Sequence, residues 1–177
     1  MPPRGAEAFF RAEADRAASP LAAVDDRLAE PRFAVGAFAD GAFDQVRAVH
    51  FIEHASDVIR SMEEFHRLVR PGGRIFIVTP HYTDFSSFCD PTHRWHLNSF
   101  SFRYFGEDHA GFGYYSPVRL REISVRVKLL AFWRALGFEF LVNRWRGFRR
   151  FWEYYLCFVV RGKVMEFEFE RMEWPVG

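Results

Sequence analysis

A histidine, a glutamate and a second histidine follow a predicted strand closely: His50, Glu53 and His54. Imidazole and carboxylate groups at this spacing can bind a divalent metal or move protons. At the end of a strand they could project into a cleft, where parallel α/β folds keep their ligands. The alternative is a structural role, in which Glu53 and His54 hydrogen-bond neighbouring backbone.

A second group of such residues lies in a polar and aromatic loop over residues 80–98. Cys89, His93 and His96, with His81 upstream, have a loosely metal-like spacing, but no paired CxxC motif accompanies them. The other interpretation is the wall of a substrate cleft. We expect His81 or His93 to act there as a general base, because imidazole titrates near neutral pH, and Asp90 to orient it.

The helices and strands that position these residues are predicted from the spacing of apolar residues and from capping and turn residues. Residues 43–52 read as a strand, and Ser56 or Asp57 can cap the helix that follows. Pro71-Gly72-Gly73 is expected to stop that helix, and residues 74–79 form a continuous apolar strand. This succession is half of a parallel α/β domain.

The rest of the chain gives shorter signals. We predict helices at 5–18, 99–105 and 148–159, and strands at 21–24, 123–129, 137–142 and 165–169. In the last of these, Met165, Phe167 and Phe169 alternate with glutamates, as expected of an antiparallel strand with one wet face at or near the end of the sheet.

Composition narrows the class of protein. The 177 residues are 49% hydrophobic, which fits one globular domain and excludes wholesale disorder. Two cysteines give no disulfide framework, and the first residues lack a signal peptide's apolar region, so we expect a cytoplasmic protein. No apolar run is long enough to span a bilayer, so we expect no membrane partner.

Basic residues concentrate between Arg119 and Arg150, where only Glu122 and Glu139 oppose them. One interpretation is a solvated face. The other is a surface for nucleic acid or an anionic substrate.

Four motifs in order resemble the second half of Rossmann-like S-adenosylmethionine-dependent methyltransferases: FADGAFD at 38–44, VHFIEH at 49–54, LVRPGG at 68–73 and VTP at 78–80. DPTH at 90–93 also resembles members of that family. The resemblance implies an α/β fold, a Rossmann-like methyltransferase sheet with an antiparallel C-terminal strand. Upstream, no GxGxG loop is present, so we expect an N-terminally incomplete sheet, with a divergent or truncated segment at 1–37 and the methyltransferase-like domain at 38–177.

The family's usual first strand would pair with the strand at 43–52. Without it, that strand becomes an exposed edge. We therefore expect either the helix at 5–18 or a second copy of the chain, as a homodimer, to cover the edge.

The resemblance also implies a cofactor and its ligands. S-adenosylmethionine would be bound by Asp25 at the ribose hydroxyls and by Ala48, Val49 and His50 on the methionine side. Methyl transfer to an unidentified acceptor, most simply a small molecule, is the implied function. The alternative is a catalytically inactive module that binds a partner.

Metal binding is the last implication. We expect no metal, but some family members, including small-RNA 2′-O-methyltransferases, carry Glu-x-x-Glu-His and bind a divalent ion. Here His50 replaces the first glutamate, and a set of His50, Glu53, His54 and His93 would suit Zn or Mn better than Mg.

Overall fold

The computed structural model describes residues 7–11, 38–106 and 115–172. Its strands form one sheet in the order β1-β2-β3-β5-β4. Their bounds are β1 Glu7–Arg11, β2 Phe43–Val49, β3 Val69–Pro80, β4 Leu120–Leu129 and β5 Gly162–Arg171. β1, β2 and β3 are parallel, whereas β5 runs antiparallel to both β3 and β4. The predicted α/β fold class is therefore confirmed.

Helical segments lie between these strands. The α-helices are α1 Val58–Leu68, α2 Phe85–Cys89, α3 Ala131–Ala135, α4 Phe138–Arg144 and α5 Arg146–Phe151. Residues Ile52–His54 and Ser101–Phe105 form 3-10 turns, and a π-helical turn at Trp152–Leu156 continues α5. No helix among the residues described is long and apolar enough to cross a membrane.

The unit β2–α1–β3 forms as its sequence predicts. The Asp57 carboxylate accepts a hydrogen bond from the Arg60 amide at 3.0 Å and so caps α1. Met62, Phe65 and Leu68 then fall on one face of the helix and are buried against the sheet.

The end of α1 differs from the prediction. The helix ends at Leu68, before Pro71-Gly72-Gly73, and Val69 already pairs with Phe43 in the sheet. Proline disfavours the helical conformation in the residue before it, which explains the early end. Gly72 then adopts φ +72°, and a Cβ on Gly73 would lie 2.6 Å from the Asp44 carbonyl oxygen. The two glycines therefore shape the irregular start of β3.

The edge of β2 is covered by the strand β1, and not by the helix or the second copy of the chain that the sequence led us to expect. Residues 7–11 were predicted within a helix, but they form a strand that pairs with β2 from Glu7–Gln45 to Arg11–Val49. A parallel strand satisfies the backbone groups that an edge would leave open, so neither a helix nor a second chain is needed there. The rest of the predicted helix and the predicted strand at 21–24 lie outside the described residues. The proposed domain boundary between 37 and 38 stays a prediction.

The prediction of a strand at 137–142 is wrong, because α4 occupies this region. Gly137 takes φ +80° and starts the helix, and the Asn143 side chain bonds both the amide and the carbonyl of Val127 in β4. Six residues are too few for periodicity to separate a helix from a strand.

The antiparallel pairing of β4 with β5 neutralises part of the basic cluster. Arg121 pairs with Glu170 at 3.2 Å, and Lys128 pairs with Glu166 across the strands. Arg149 is buried and donates to the Val125 carbonyl at 2.8 Å. The basic residues between 119 and 150 therefore do not form one uniform surface.

Two glycines give a matched test of this packing. A Cβ on Gly162 would lie 2.6 Å from the ring of buried His81, whereas one on Gly147, in α5, would meet nothing within 4 Å. We expect Gly162→Ala to lower the free energy of unfolding by about 1–3 kcal/mol through overpacking. Gly147→Ala should leave it unchanged or raise it by up to about 1 kcal/mol. Urea unfolding of both variants checks this, and equal stability of the two would contradict the packing described.

Candidate functional site

The chain turns sharply where β2 ends. His50 adopts φ +49°, a left-handed conformation that costs a non-glycine residue on the order of 1 kcal/mol. Its amide donates to the Val78 carbonyl of β3 at 2.8 Å, which holds the turn to the sheet. The 3-10 turn Ile52–His54 follows, so that Glu53 and His54 lie at the carboxyl edge of the parallel strands, as predicted.

Backbone hydrogen bonds fasten the loop at 90–95 to this turn. The Glu53 carbonyl accepts from the amides of Arg94 at 2.8 Å and Trp95 at 3.2 Å. The Trp95 indole donates to the Ala55 carbonyl at 2.6 Å. These three bonds fix the loop against the end of β2 and bring His93 beside His54.

Glu53, His54 and His93 form a compact cluster. One candidate ligand atom from each lies within 4.8 Å of the other two, and the two imidazole ring centroids are 4.6 Å apart. Three of the four residues in the predicted metal set therefore meet. The fourth, His50, hydrogen-bonds through Nδ1 to Glu53 Oε1 at 3.1 Å and supports the cluster from outside it.

Hydrogen bonds define the tautomers of both histidines. The Thr92 hydroxyl donates its single proton to Asp90 at 2.6 Å, so at 2.9 Å it accepts from His54 Nδ1. His93 Nδ1 donates to the Ser87 carbonyl at 3.2 Å. In the neutral rings, Nε2 of His54 and of His93 consequently carries the lone pair.

The Glu53 carboxylate adds a further acceptor. Its side chain is 1% exposed, and Oε2 is buried with no hydrogen-bond partner among the described residues. Leaving a carboxylate oxygen unpartnered costs at least several kcal/mol unless a cation or a proton compensates it. Together, Glu53, His54 and His93 could hold a divalent cation such as Zn through one carboxylate and two imidazole ligands.

Asp90 remains ionised beside this cluster. Hydrogen bonds from the Thr92 hydroxyl and amide lower the pKa of Asp90 below its ordinary value, although partial burial opposes them. Its Oδ2 lies 3.7 Å from His93 Nε2. The carboxylate therefore stands close enough to stabilise an imidazolium at His93, whereas its predicted orienting role stays a prediction.

His81 has a different environment. It is fully buried; Nδ1 accepts from Thr83, and Nε2 lies 3.3 Å from both oxygens of Glu153. Glu153 also accepts from the Ser99 amide at 2.8 Å and from its hydroxyl. Burial raises the pKa of Glu153, but the bonds from His81 and Ser99 outweigh it and lower that pKa below the ordinary value. This placement does not support His81 as a base facing the acceptor, because both ring nitrogens are already used.

The other predicted residues are dispersed. Cys89 is exposed, and His96 stacks on Phe88 with ring centroids 3.9 Å apart, so neither joins the Glu53 cluster. Ala48 is buried in the core, whereas Val49 is half-buried at the strand end. Asp25 lies outside the described residues.

Two cavities flank the loop at 80–98. One of about 400 Å³ is lined by Tyr82, Arg103, Arg150, Glu153 and Tyr154 among others. The second, of about 600 Å³, lies between the start of α1 and the loop, against Asp57, Trp95 and Tyr104. Either is large enough to admit a small organic molecule.

Sequence reasoning missed four residues that build the site. Thr92 and Ser87 fix the histidine tautomers, and Trp95 fixes the loop. Glu153 lies within hydrogen-bond distance of His81. Thr92 belongs to the DPTH motif and was detectable there. Glu153 lies 72 residues from His81 in a predicted aromatic helix, so no local pattern connects them.

The donor set gives a direct test of metal binding. Chelator-treated protein should be stabilised by Zn or Mn, by about 2.7 kcal/mol at one hundred times the dissociation constant, because the ion compensates the buried carboxylate. Glu53→Gln should lose this stabilisation. His96→Asn, which changes a residue in the same loop as His93 but outside the cluster, should keep it. Thermal unfolding with each metal measures the effect. No stabilisation of the unsubstituted protein would end the metal hypothesis.

Comparison with known proteins gives one family match. Residues 11–77 match the family described as a methyltransferase domain, a range that contains β2, α1 and the turn bearing Glu53 and His54. A search of curated proteins finds no match.

Solved structures give distant similarities. The YcgJ protein of Bacillus subtilis is 12% identical, with a TM-score of 0.46 over 78% of this chain and 68% of that one. Arsenic(III) S-adenosylmethionine methyltransferase of Chlamydomonas reinhardtii is 13% identical, with a TM-score of 0.40 over 78% of this chain and 40% of that one. Phosphoethanolamine N-methyltransferase 2 of Haemonchus contortus, solved with S-adenosyl-L-methionine, is 19% identical, with a TM-score of 0.40 over 77% and 35%. The chain thus spans between about a third and two thirds of their lengths.

Proposed function

We propose that this chain is a Rossmann-like methyltransferase domain that transfers a methyl group from S-adenosylmethionine to a small-molecule acceptor held beside the loop at 80–98; the match of residues 11–77 to a methyltransferase domain supports the family. The observation that supports this most is the cluster of Glu53, His54 and His93 at the carboxyl edge of β2 and β3. Parallel α/β sheets bind their ligands at this edge.

The described residues fit one wall of a cofactor site. β1, β2 and β3 end side by side, and the turn at Val49 and His50 exposes backbone at that edge. Val49 and His50 would contact the methionine side, and Asp25 would hold the ribose hydroxyls. When bound, the cofactor supplies an electrophilic methyl group on a sulfonium.

On the acceptor side, His93 is the general base of the proposal, a role that its Nε2 can fill only while no metal ion is bound there. Its Nδ1 proton is committed to Ser87, so Nε2 is the nitrogen that can accept a proton from an acceptor hydroxyl or amine. With the cofactor bound, Nε2 would take up the proton that the acceptor loses on methylation. The ionised Asp90 then stabilises the resulting imidazolium.

His81 and Glu153 act as a positioning pair instead. Together with Ser99 they tie the beginning of the acceptor loop to the π-helical turn. Their buried hydrogen bonds stabilise the loop on which the base sits, and positioning supplies much of the rate of a methyl transfer.

Cofactor binding is tested by calorimetric titration with S-adenosylhomocysteine. We expect micromolar affinity in the unsubstituted chain, and a loss of about tenfold or more in Asp25→Ala, because the ribose hydroxyls lose a charged acceptor. Asp26→Ala removes the neighbouring carboxylate and should bind normally. A folded chain that does not bind the ligand would contradict the proposed function and favour a partner-binding module.

A further inference from the structure

We propose that an aromatic surface on this protein docks on an anionic lipid bilayer. Six exposed rings, each between 47% and 76% accessible, define the aromatic surface: Phe85, Phe88, Phe151, Tyr154, Tyr155 and Phe158.

The π-helical turn and the residues just after it separate buried side chains from exposed ones. Trp152 and Cys157 are fully buried, and the Trp152 indole donates to the Val160 carbonyl at 2.7 Å. With these residues fixed inward, Tyr154, Tyr155 and Phe158 must point outward. The outward residues are large and apolar, and the described part of the chain leaves them exposed.

The exposed rings fall into two groups, one of rings in contact and one around a groove. Phe151 and Tyr155 lie with ring centroids 5.2 Å apart, and Tyr154 and Tyr155 at 6.1 Å. Phe158 lines one groove of about 500 Å³ together with Phe85 and Phe88 of α2. The aromatic surface therefore joins two segments that are far apart in sequence.

Among the described residues, two arginines lie against the aromatic surface. Arg150 lies over the Tyr154 ring at 5.9 Å, and Arg161 lines the groove. Across residues 131–160 the exposed charged side chains are Arg134, Arg144, Arg146 and Arg150. Arginine stems can cover apolar surface while their guanidinium groups reach lipid phosphates.

The described acidic side chains nearby make hydrogen bonds within the fold. Glu139 accepts from the Leu129 amide at 2.9 Å, and Glu153 is buried with His81. Asp84, which lines the groove, caps α2 through the Ser86 amide at 2.9 Å. Aromatic rings flanked by arginines are the composition of surfaces that lie in the membrane interface.

A second copy of the chain fits this surface less well. A symmetric dimer would place the same patch against itself and bring arginines of like charge together. A bilayer offers both an apolar layer for the rings and phosphates for the arginines, and such docking needs no membrane-spanning helix. The sequence expectation of no membrane partner stays a prediction, and vesicle binding would contradict it.

The aromatic surface also borders the candidate site. The groove is also lined by three residues near the beginning of the loop at 80–98: Tyr82, Thr83 and Asp84. Docking would therefore set the mouth of the acceptor cleft beside the lipid headgroups. The docking itself does not depend on methyl transfer.

Vesicle flotation of the full chain tests the proposal. We expect binding to phosphatidylcholine vesicles that contain phosphatidylserine, and weak binding to phosphatidylcholine alone. The double variant Tyr155→Ser/Phe158→Ser should bind the anionic vesicles about tenfold more weakly or worse. Phe38→Ser is the control. It removes an exposed ring that lies shortly before the first residue of β2, outside the aromatic surface, and this variant should bind normally.

Three outcomes would overturn the proposal. The first is a folded chain that does not bind anionic vesicles. The second is a dimer that the double variant dissociates, without vesicle binding, which would assign the surface to a second copy. The third is salt-sensitive binding to single-stranded RNA without vesicle binding, which would assign it to nucleic acid. Because S-adenosylhomocysteine binding is measured without lipid, failure of the docking and failure of the proposed function are distinguishable.

Discussion

The backbone carbonyl of Glu53 holds the two halves of the site together. It accepts hydrogen bonds from Arg94 and Trp95, and the Trp95 indole extends the same contact to Ala55. Because these bonds use backbone groups that must be satisfied when buried, they fix the loop whatever its side chains do. Without this contact, His93 would belong to a long surface loop, and the cluster at the end of β2 would have two members instead of three.

Two buried polar networks lie near the same sheet edge, and they differ in how completely they are satisfied. Around His81, the ring nitrogens and the Glu153 carboxylate all have partners, so this network is suited to rigidity. Around Glu53, acceptors outnumber donors and Oε2 has no partner among the described residues. An incompletely satisfied buried group is where a proton, a cation or a ligand gains most by binding, which is why the Glu53 cluster carries the chemistry in our account.

The sequence predicts the central part of this fold well because several local signals agree there. β2, the Asp57 cap and β3 follow from an apolar run, a capping residue and a turn in the right order. Prediction fails where one signal stands alone. The alanine-rich stretch at 5–18 favours a helix by propensity, but residues 7–11 within it pair with β2 instead. In the site, the meeting of Glu53, His54 and His93 follows from the fold, since strand ends share an edge. The partnership of His81 with Glu153 depends on how the π-helical turn packs and has no local signature.

The central claim is that the carboxyl edge of β2 forms part of a cofactor site. Amide hydrogen exchange measured by mass spectrometry, with and without saturating S-adenosylhomocysteine, tests it most directly. We expect slower exchange in residues 49–55 with the ligand bound, and unchanged exchange in β4, at the far edge of the sheet. Unchanged exchange throughout residues 49–55 of the folded protein would contradict it.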